Sequence, residues 1–347
     1  MRERIELRVN VDHADLLFRP DEGELLGQRR HAHLKRIVVD LSDPRLARIP
    51  EIEKELNAHR PVLFVGGWRI IREYTEQEVG EARLFKLWCA AVFEPAGEEC
   101  GTVYDESGVC PVCKAGRRQV SDLVVDVRRV PRGKEYVSTY VVGEHMVSQR
   151  IAEALAESGM TGFALRPVRD VRLAKDPPIP WDEVPSGRAL LKRAAPAGMA
   201  RDHWRFIVWV NRAEQAQLLA AAQDEFYGSA RAARHRKVRA WYQPVATSKP
   251  VPISPKSVFG ERPFEDPNPY ACPMGDTLGH YLLSELYVDC SAAAGSDFAC
   301  TAHYWGFEAG YHRPDPFFLV SQRWRRLFSD LGVKGHELEV VRCDERG

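Results

Sequence analysis

The 347-residue chain lacks most of the signals by which a sequence announces a compartment or a chemistry. It has no charge imbalance: Lys+Arg and Asp+Glu both number 49, so no global field draws it to nucleic acid or anionic lipid. It has no apolar run approaching the roughly 18 residues that a membrane helix requires. Its start, Met1-Arg-Glu-Arg-Ile-Glu-Leu-Arg8, alternates charged and apolar residues and shows neither the apolar core nor the cleavage site of a signal peptide. The expected compartment is therefore the cytoplasm. Cysteine is scarce, eight in all, which is too few for a disulfide scaffold in a chain this long. There is no Gly-x-Ser-x-Gly, phosphate loop or dinucleotide fingerprint, so the common enzyme classes lose their usual support and no catalytic residue is expected.

What is present reads as an α+β protein of two halves, residues 1–170 and 188–347, joined by a Pro-rich linker at 171–187. Ile37–Leu41 and Pro61–Val65 have the β-branched density of strands, and Ile49–Leu56 reads as a helix with Pro50 near its start. Thr75 followed by Glu78 forms a capping-box pattern. Val120–Val127 alternates like a half-buried strand, and Phe163–Arg169 reads as another. Residues 204–210 are the densest strand candidate, Ala213–Tyr227 an amphipathic helix, and 244–273, with eight prolines, an irregular surface segment.

One stretch occurs twice. Val147–Arg169 aligns without a gap on Val320–Arg342, with nine of 23 positions identical, including Val-Ser-Gln-Arg and a Gly-x-x-Gly. Each copy reads as a helix capped by Ser148 or Ser321, ended by Gly159 or Gly332 in the left-handed conformation, and followed by a strand. The spacing predicts a duplication with pseudo-symmetric packing.

The sharpest chemical signal lies at 94–118. Cys100-Gly101 is followed by Cys110-Pro-Val-Cys113, three cysteines within fourteen residues. Two cysteines three apart in a tight turn aim both sulfurs at one metal. Cys110-x-x-Cys113 is one such knuckle; Cys100-Gly101 is the end of another, with Gly97 where its first cysteine is expected. Cys100, Cys110 and Cys113 are thus the expected ligands of a structural Zn2+, which normally takes four. Cys89, Glu98, Glu99 and Cys272, the last in Cys272-Pro-Met-Gly275, are the candidates for the fourth.

Two further constellations compete. Arg231–Arg239, ahead of Trp241 and Tyr242, combines basic and aromatic residues as single-strand binders do, though a solvated helix end accounts for it and nucleic acid is not the expected partner. Gly275–His280 reads as a Gly-rich turn opening a helix that brings His280 near Glu285, a conceivable acid–base pair; the helix alone explains the pattern as well. His31-x-His33 lies in a basic loop, and His303 and His312 show no metal-type pairing.

Arg72–Val79 with Ala82–Phe85, then Glu99–Tyr104, then Cys110–Cys113 resemble the double-CxxCG motif proteins of myxobacteria and related bacteria, a group that includes immunity partners of secreted toxins. The resemblance covers about a third of the chain and departs from the family at Gly97 and at Lys114, which replaces the glycine after the second motif. It implies a cytoplasmic, non-enzymatic protein that binds and neutralises a cognate toxin.

Overall fold

The computed structural model describes residues 1–26, 33–58, 63–141, 143–172, 240–265 and 270–344. The expected strand at 204–210, the helix at 213–227, the basic run at 231–239, His31 and most of the 171–187 linker lie outside the described residues.

The chain opens with β1 (Arg2–Asn10), β2 (Glu24–Leu26), β3 (Leu34–Asp40), α1 (Ile49–Asn57) and β4 (Val65–Glu73). They form a sheet of order β2-β3-β1-β4. Ile5, Leu7 and Val9 alternate onto one face, where Ile49 and Ile52 of α1 close a small core with Phe18, Ile37 and Phe64. Of the strand expected at Pro61–Val65, residues 61 and 62 lie outside the described residues, and β4 begins at Val65. The Thr75 box is present and begins α2 (Glu76–Glu81).

The rest of the described chain builds a six-stranded and a five-stranded sheet and two two-stranded ribbons. The chain continues through β5 (Leu84–Cys89), β6 (Val92–Phe93), β7 (Tyr104–Asp105), β8 (Arg118–Gln119), β9 (Val124–Val125), β10 (Tyr136–Thr139), β11 (His145–Ser148), α3 (Gln149–Glu157) and β12 (Phe163–Asp170). After the undescribed segment come β13 (Trp241–Ala246), β14 (Phe259–Gly260), β15 (Tyr281–Leu282), β16 (Leu286–Val288), β17 (Phe298–Trp305), β18 (Asp315–Ser321), α4 (Gln322–Asp330) and β19 (His336–Cys343). One sheet has the order β6-β10-β11-β13-β12-β9 and the other β16-β19-β5-β18-β17, and the ribbons are β7-β8 and β14-β15.

Taken from β10 and from β17, the two orders match strand for strand. In each, a hairpin partner pairs antiparallel with the strand before the helix, and a strand from the other half of the chain inserts next. The strand after the helix follows, and a short parallel edge strand ends the series. The inserted strands are β13 and β5. Trp241 of β13 lies opposite Ser148 and Val168. Leu84 of β5 lies opposite Ser321 and Val341, the positions 173 further along on both sides. The halves at 1–170 and 188–347 therefore do not stand apart: each lends the other a central strand.

The Gly-x-x-Gly has a separate reason at each position. Gly159 (φ 64°) and Gly332 (φ 61°) end α3 and α4 in the left-handed region. Gly162 and Gly335 allow close approach: a Cβ on Gly162 would stand 2.2 Å from the Phe298 carbonyl oxygen, and one on Gly335 2.1 Å from that of Tyr136. The Thr161 carbonyl accepts from the N–H groups of Asp297 and Phe298, and the Lys334 carbonyl from those of Glu135 and Tyr136. Arg150 pairs with Glu135 and reaches the Leu331 carbonyl; Arg323 pairs with Asp297 and reaches the Ser158 carbonyl. The two units thus hold each other by the same bonds in both directions. Ile151 and Leu155 of α3 and Trp324 and Phe328 of α4, all fully buried, join the common core with Phe85, Tyr136 and Phe298.

Three local expectations are corrected. Ser321 caps α4 by accepting from the Trp324 N–H, but Ser148 makes no such bond, because its hydroxyl turns to Glu135. Val120–Val127 is not an alternating strand: residues 121–126 are all buried, and only Val124 and Val125 pair, parallel to β12. The helix expected after Gly275 is replaced by a loop and the strands β15 and β16. Among the described residues no helix is long and apolar enough to cross a membrane.

Candidate metal centre

Two tight loops meet at the cysteines. The first rides on the β7–β8 hairpin, where the Cys110 N–H donates to the Ala115 carbonyl (2.8 Å) and the Lys114 N–H to the Cys110 carbonyl (3.0 Å). In the second, the Cys272 N–H donates to the Thr277 carbonyl (2.7 Å) and the Gly275 N–H to the Cys272 carbonyl (2.8 Å). Both turns need a left-handed residue. Gly275 (φ 83°) supplies one, and Lys114 (φ 62°) the other, the sole non-glycine at positive φ among the described residues. The glycine missing after Cys113 therefore has a conformational cost, because Lys114 takes up the backbone shape that glycine favours.

The loops bring together Cys110, Cys113, Cys272 and Asp276, whose ligand atoms all lie within 4.8 Å of one another. The Cys110 and Cys272 sulfurs are 3.8 Å apart. A tetrahedral zinc with Zn–S bonds of about 2.3 Å has sulfur–sulfur edges of about 3.8 Å, so the spacing fits one ion. The N–H groups of Cys113 and Val112 point at the Cys110 sulfur and favour its thiolate; the Asp276 carboxylate, desolvation and the neighbouring Cys113 thiol together oppose them, and the thiol is raised to about 11. At Cys272 burial opposes ionisation, but the Met274 N–H and the thiols of Cys113 and Cys110 outweigh it and draw the value down. Three clustered sulfurs and a carboxylate with no cation among them are the donor set for a divalent metal, whose charge would hold all of them deprotonated.

Of the expected ligands, Cys110 and Cys113 are in this group and Cys100 is not. Cys272, one of the four candidates, completes the thiolates. Cys89 instead lies buried against the Ala91 carbonyl, and burial pushes its thiol up to about 12. Glu98 binds Arg117, and Glu99 accepts from the Ala96 N–H. Asp276 was missed; its one sequence signal is its place directly after Cys272-Pro-Met-Gly275.

The turn at Gly97–Gly101 keeps a knuckle's shape without its metal. The N–H groups of Cys100 and Thr102 both donate to the Gly97 carbonyl, and Gly101 has φ 102°. A Cβ on Gly97 would meet Leu123 at 2.6 Å, the Thr102 hydroxyl at 2.7 Å and the Glu144 carboxylate at 2.8 Å, so a cysteine there would have to displace these side chains. Glu144, buried, accepts instead from the Gly97 N–H and the Tyr104 and Thr139 hydroxyls. Burial raises the Cys100 thiol to about 11, with the Asp126 and Glu144 carboxylates adding to the rise.

His280 and Glu285 take separate roles. The His280 ring stacks on Tyr270 at 3.9 Å, while Glu285 is bound by Arg342 at 2.8 Å. Cys290 and Cys343 form a disulfide that ties the end of β16 to the end of β19, a bond the cysteine count did not lead us to expect. Beyond Asp276, the second loop runs into the wall of a cavity of about 300 Å³, formed by Trp88, His280, Tyr281, Trp305 and Phe307 over a floor holding His145 and Asp315. Comparison of the chain with protein-family models, curated proteins and solved structures returned no match.

Proposed function

We propose that this protein works by binding a partner, with no chemistry of its own, and that the partner is a cognate bacterial toxin which it neutralises. The observation that supports a binding role is the exposed aromatic rim of the cavity. Trp88, Tyr281 and Phe307 are 36%, 36% and 43% exposed and line it, with Tyr270 stacked behind His280 and the apolar Val92 beside them. Rigid aromatics left in water are what interface hot spots use, and a cluster of them is unusual on a surface with no partner. The toxin comes from the resemblance carried by Arg72–Val79, Glu99–Tyr104 and Cys110–Cys113. Zinc is the metal in this reading and is structural. Four protein ligands close its coordination, leaving no position for substrate. The ion joins the 110–113 and 272–276 loops, which precede the equivalent short parallel strands β9 and β16, so it sits where two copies of a duplicated unit meet.

Co-expression with toxins encoded beside the gene tests the role. Protection should be lost in Trp88→Ala and Phe307→Ala while both variants stay folded and zinc-loaded. If neither variant alters protection, the rim is not the interface. If no neighbouring toxin is neutralised and turnover depends on His280, the immunity reading gives way to an enzyme.

A further inference from the structure

The cavity carries a second, independent message in its floor. The Asp315 Oδ2, the His145 Nε2 and the Trp305 Nε1 are all sealed from solvent and have no hydrogen-bond partner. Native interiors leave few such atoms, and of these three the Asp315 oxygen is the one that a cation can pair with, since the Trp305 N–H is itself a donor. Asp315 decides the ligand's sign. No Lys, Arg or His nitrogen among the described residues lies within ion-pair distance of it; the nearest influences are Arg117, which is held by Glu98 and stacked on Tyr104, and the like charge of Glu144. Burial without a close counter-charge pushes its carboxyl up to about 8, so without a bound cation the acid is largely neutral at neutral pH, and a cation would be the counter-charge that lets it ionise. Arg313 lines the same cavity but gives its N–H groups to the Gly310 and His312 carbonyls and leans on Glu308, so it neither neutralises Asp315 nor offers a free anion site.

The walls agree with the floor. Trp88 and Trp305 pack on each other at 5.7 Å, centroid to centroid, Trp305 also stacks on Phe317 at 5.2 Å, and Phe307, Tyr281 and Tyr140 line the same cavity. Its histidines stay neutral: burial lowers His280 and His312, and takes His145 down to about 4. Aromatic faces around a carboxylate attract an organic cation, each face contributing through its quadrupole. A bare metal ion is a poor occupant, since the residues that could ligate one converge only at the cysteine loops among the described residues.

We propose that the cavity between β5, β10, β17 and β18 is a binding site for a small alkylated ammonium ion, held over Asp315 by the Trp88–Trp305–Phe307 walls. This site is separate from the metal centre and does not depend on the toxin-binding reading.

The test uses the full-length, zinc-loaded protein and an isosteric pair of probes, choline and the uncharged 3,3-dimethyl-1-butanol, followed by tryptophan fluorescence and calorimetry. Choline should saturate with a Kd of about 1 mM or tighter and the alcohol should bind at least tenfold more weakly. Asp315→Asn, close in shape, should abolish the preference for charge. Trp88→Leu, at the exposed rim where folding is not at stake, should weaken choline at least threefold. Equal binding of both probes, a preference that survives Asp315→Asn, or no saturation by choline up to about 10 mM overturns the proposal.

Discussion

Replacing Cys272 by alanine separates the two ways of assigning the metal centre. Cys110 and Cys272 are 162 positions apart, so an ion shared by their loops closes a very long loop. By the chain-entropy relation used for covalent cross-links, closing a loop of that length removes about 17 cal/mol/K from the unfolded ensemble, or about 5 kcal/mol at 25 °C. For a chain of this size the entropy of unfolding is on the order of 0.7 kcal/mol/K, so losing the link should lower the midpoint of thermal unfolding by about 7 °C. Cys272→Ala should release the zinc, show the Cys110 and Cys113 thiols to a thiol reagent, and fall by that amount. A strong chelator should bring the wild-type protein to the same midpoint. Cys100→Ala should keep a full equivalent of metal, because its sulfur lies outside the group. The measurements are metal content, thiol titration and thermal unfolding on the same preparations. Metal retained by Cys272→Ala but lost from Cys100→Ala would refute the geometry and restore Cys100, Cys110 and Cys113 as a set.

Asp276→Asn should keep the fold while weakening zinc, measured by competition with a chromophoric chelator; unchanged affinity would remove Asp276 from the ligands. Gly335→Ala and Gly162→Ala should each cost about 3 kcal/mol or more in chemical denaturation, since the added Cβ meets a carbonyl oxygen. Gly159→Ala and Gly332→Ala, with open space around them, should cost only about 1 kcal/mol. Ser321→Ala should lose about 1 kcal/mol as a helix cap, and Ser148→Ala less, because only the Ser321 oxygen accepts a hydrogen bond from the helix backbone. His145 is buried with a folded value of about 4 against an ordinary 6.5, so the unfolded chain takes up its proton first on acidification. Its contribution is complete above about pH 6.5 and is lost as pH falls towards 4, by about 3 kcal/mol in all. His145→Gln should flatten that part of the stability–pH curve, and an unchanged curve would mean that the ring is hydrated.

Local chemistry was legible where it acts over a few residues. The capping box at Thr75, the helix at Ile49–Leu56, the strand at Phe163–Arg169 and the two Gly-x-x-Gly segments each depend on backbone geometry that near neighbours set, and each lies where its pattern placed it. Cys110 and Cys113 belong to this class too, because a three-residue spacing orients both sulfurs whatever surrounds them. Val120–Val127 misled because alternation marks a strand with one face in water, while residues 121–126 are all buried although β9 is only the edge strand of its sheet. The pairing of Cys290 with Cys343 and the separation of His280 from Glu285 were equally out of reach, since both follow from which strands become neighbours.

The sequence by itself determined an α+β chain carrying a repeated helix–glycine–strand unit and half a metal site. Tertiary structure alone decided that β5 and β13 cross into each other's sheets, and that Cys272 and Asp276 join Cys110 and Cys113 in a group that could hold a metal ion. The loops at 110–113 and 272–276 lie face to face, so the candidate ligand beside Cys110 is Cys272, 162 positions away, and not the nearer Cys100. Spacing along a chain constrains a metal site only within one turn; beyond it, the sheet order sets which sulfurs can share an ion. The Gly97 turn shows the same limit, because only the packing of Leu123 and Glu144 against it reveals that a cysteine there would have to push them aside.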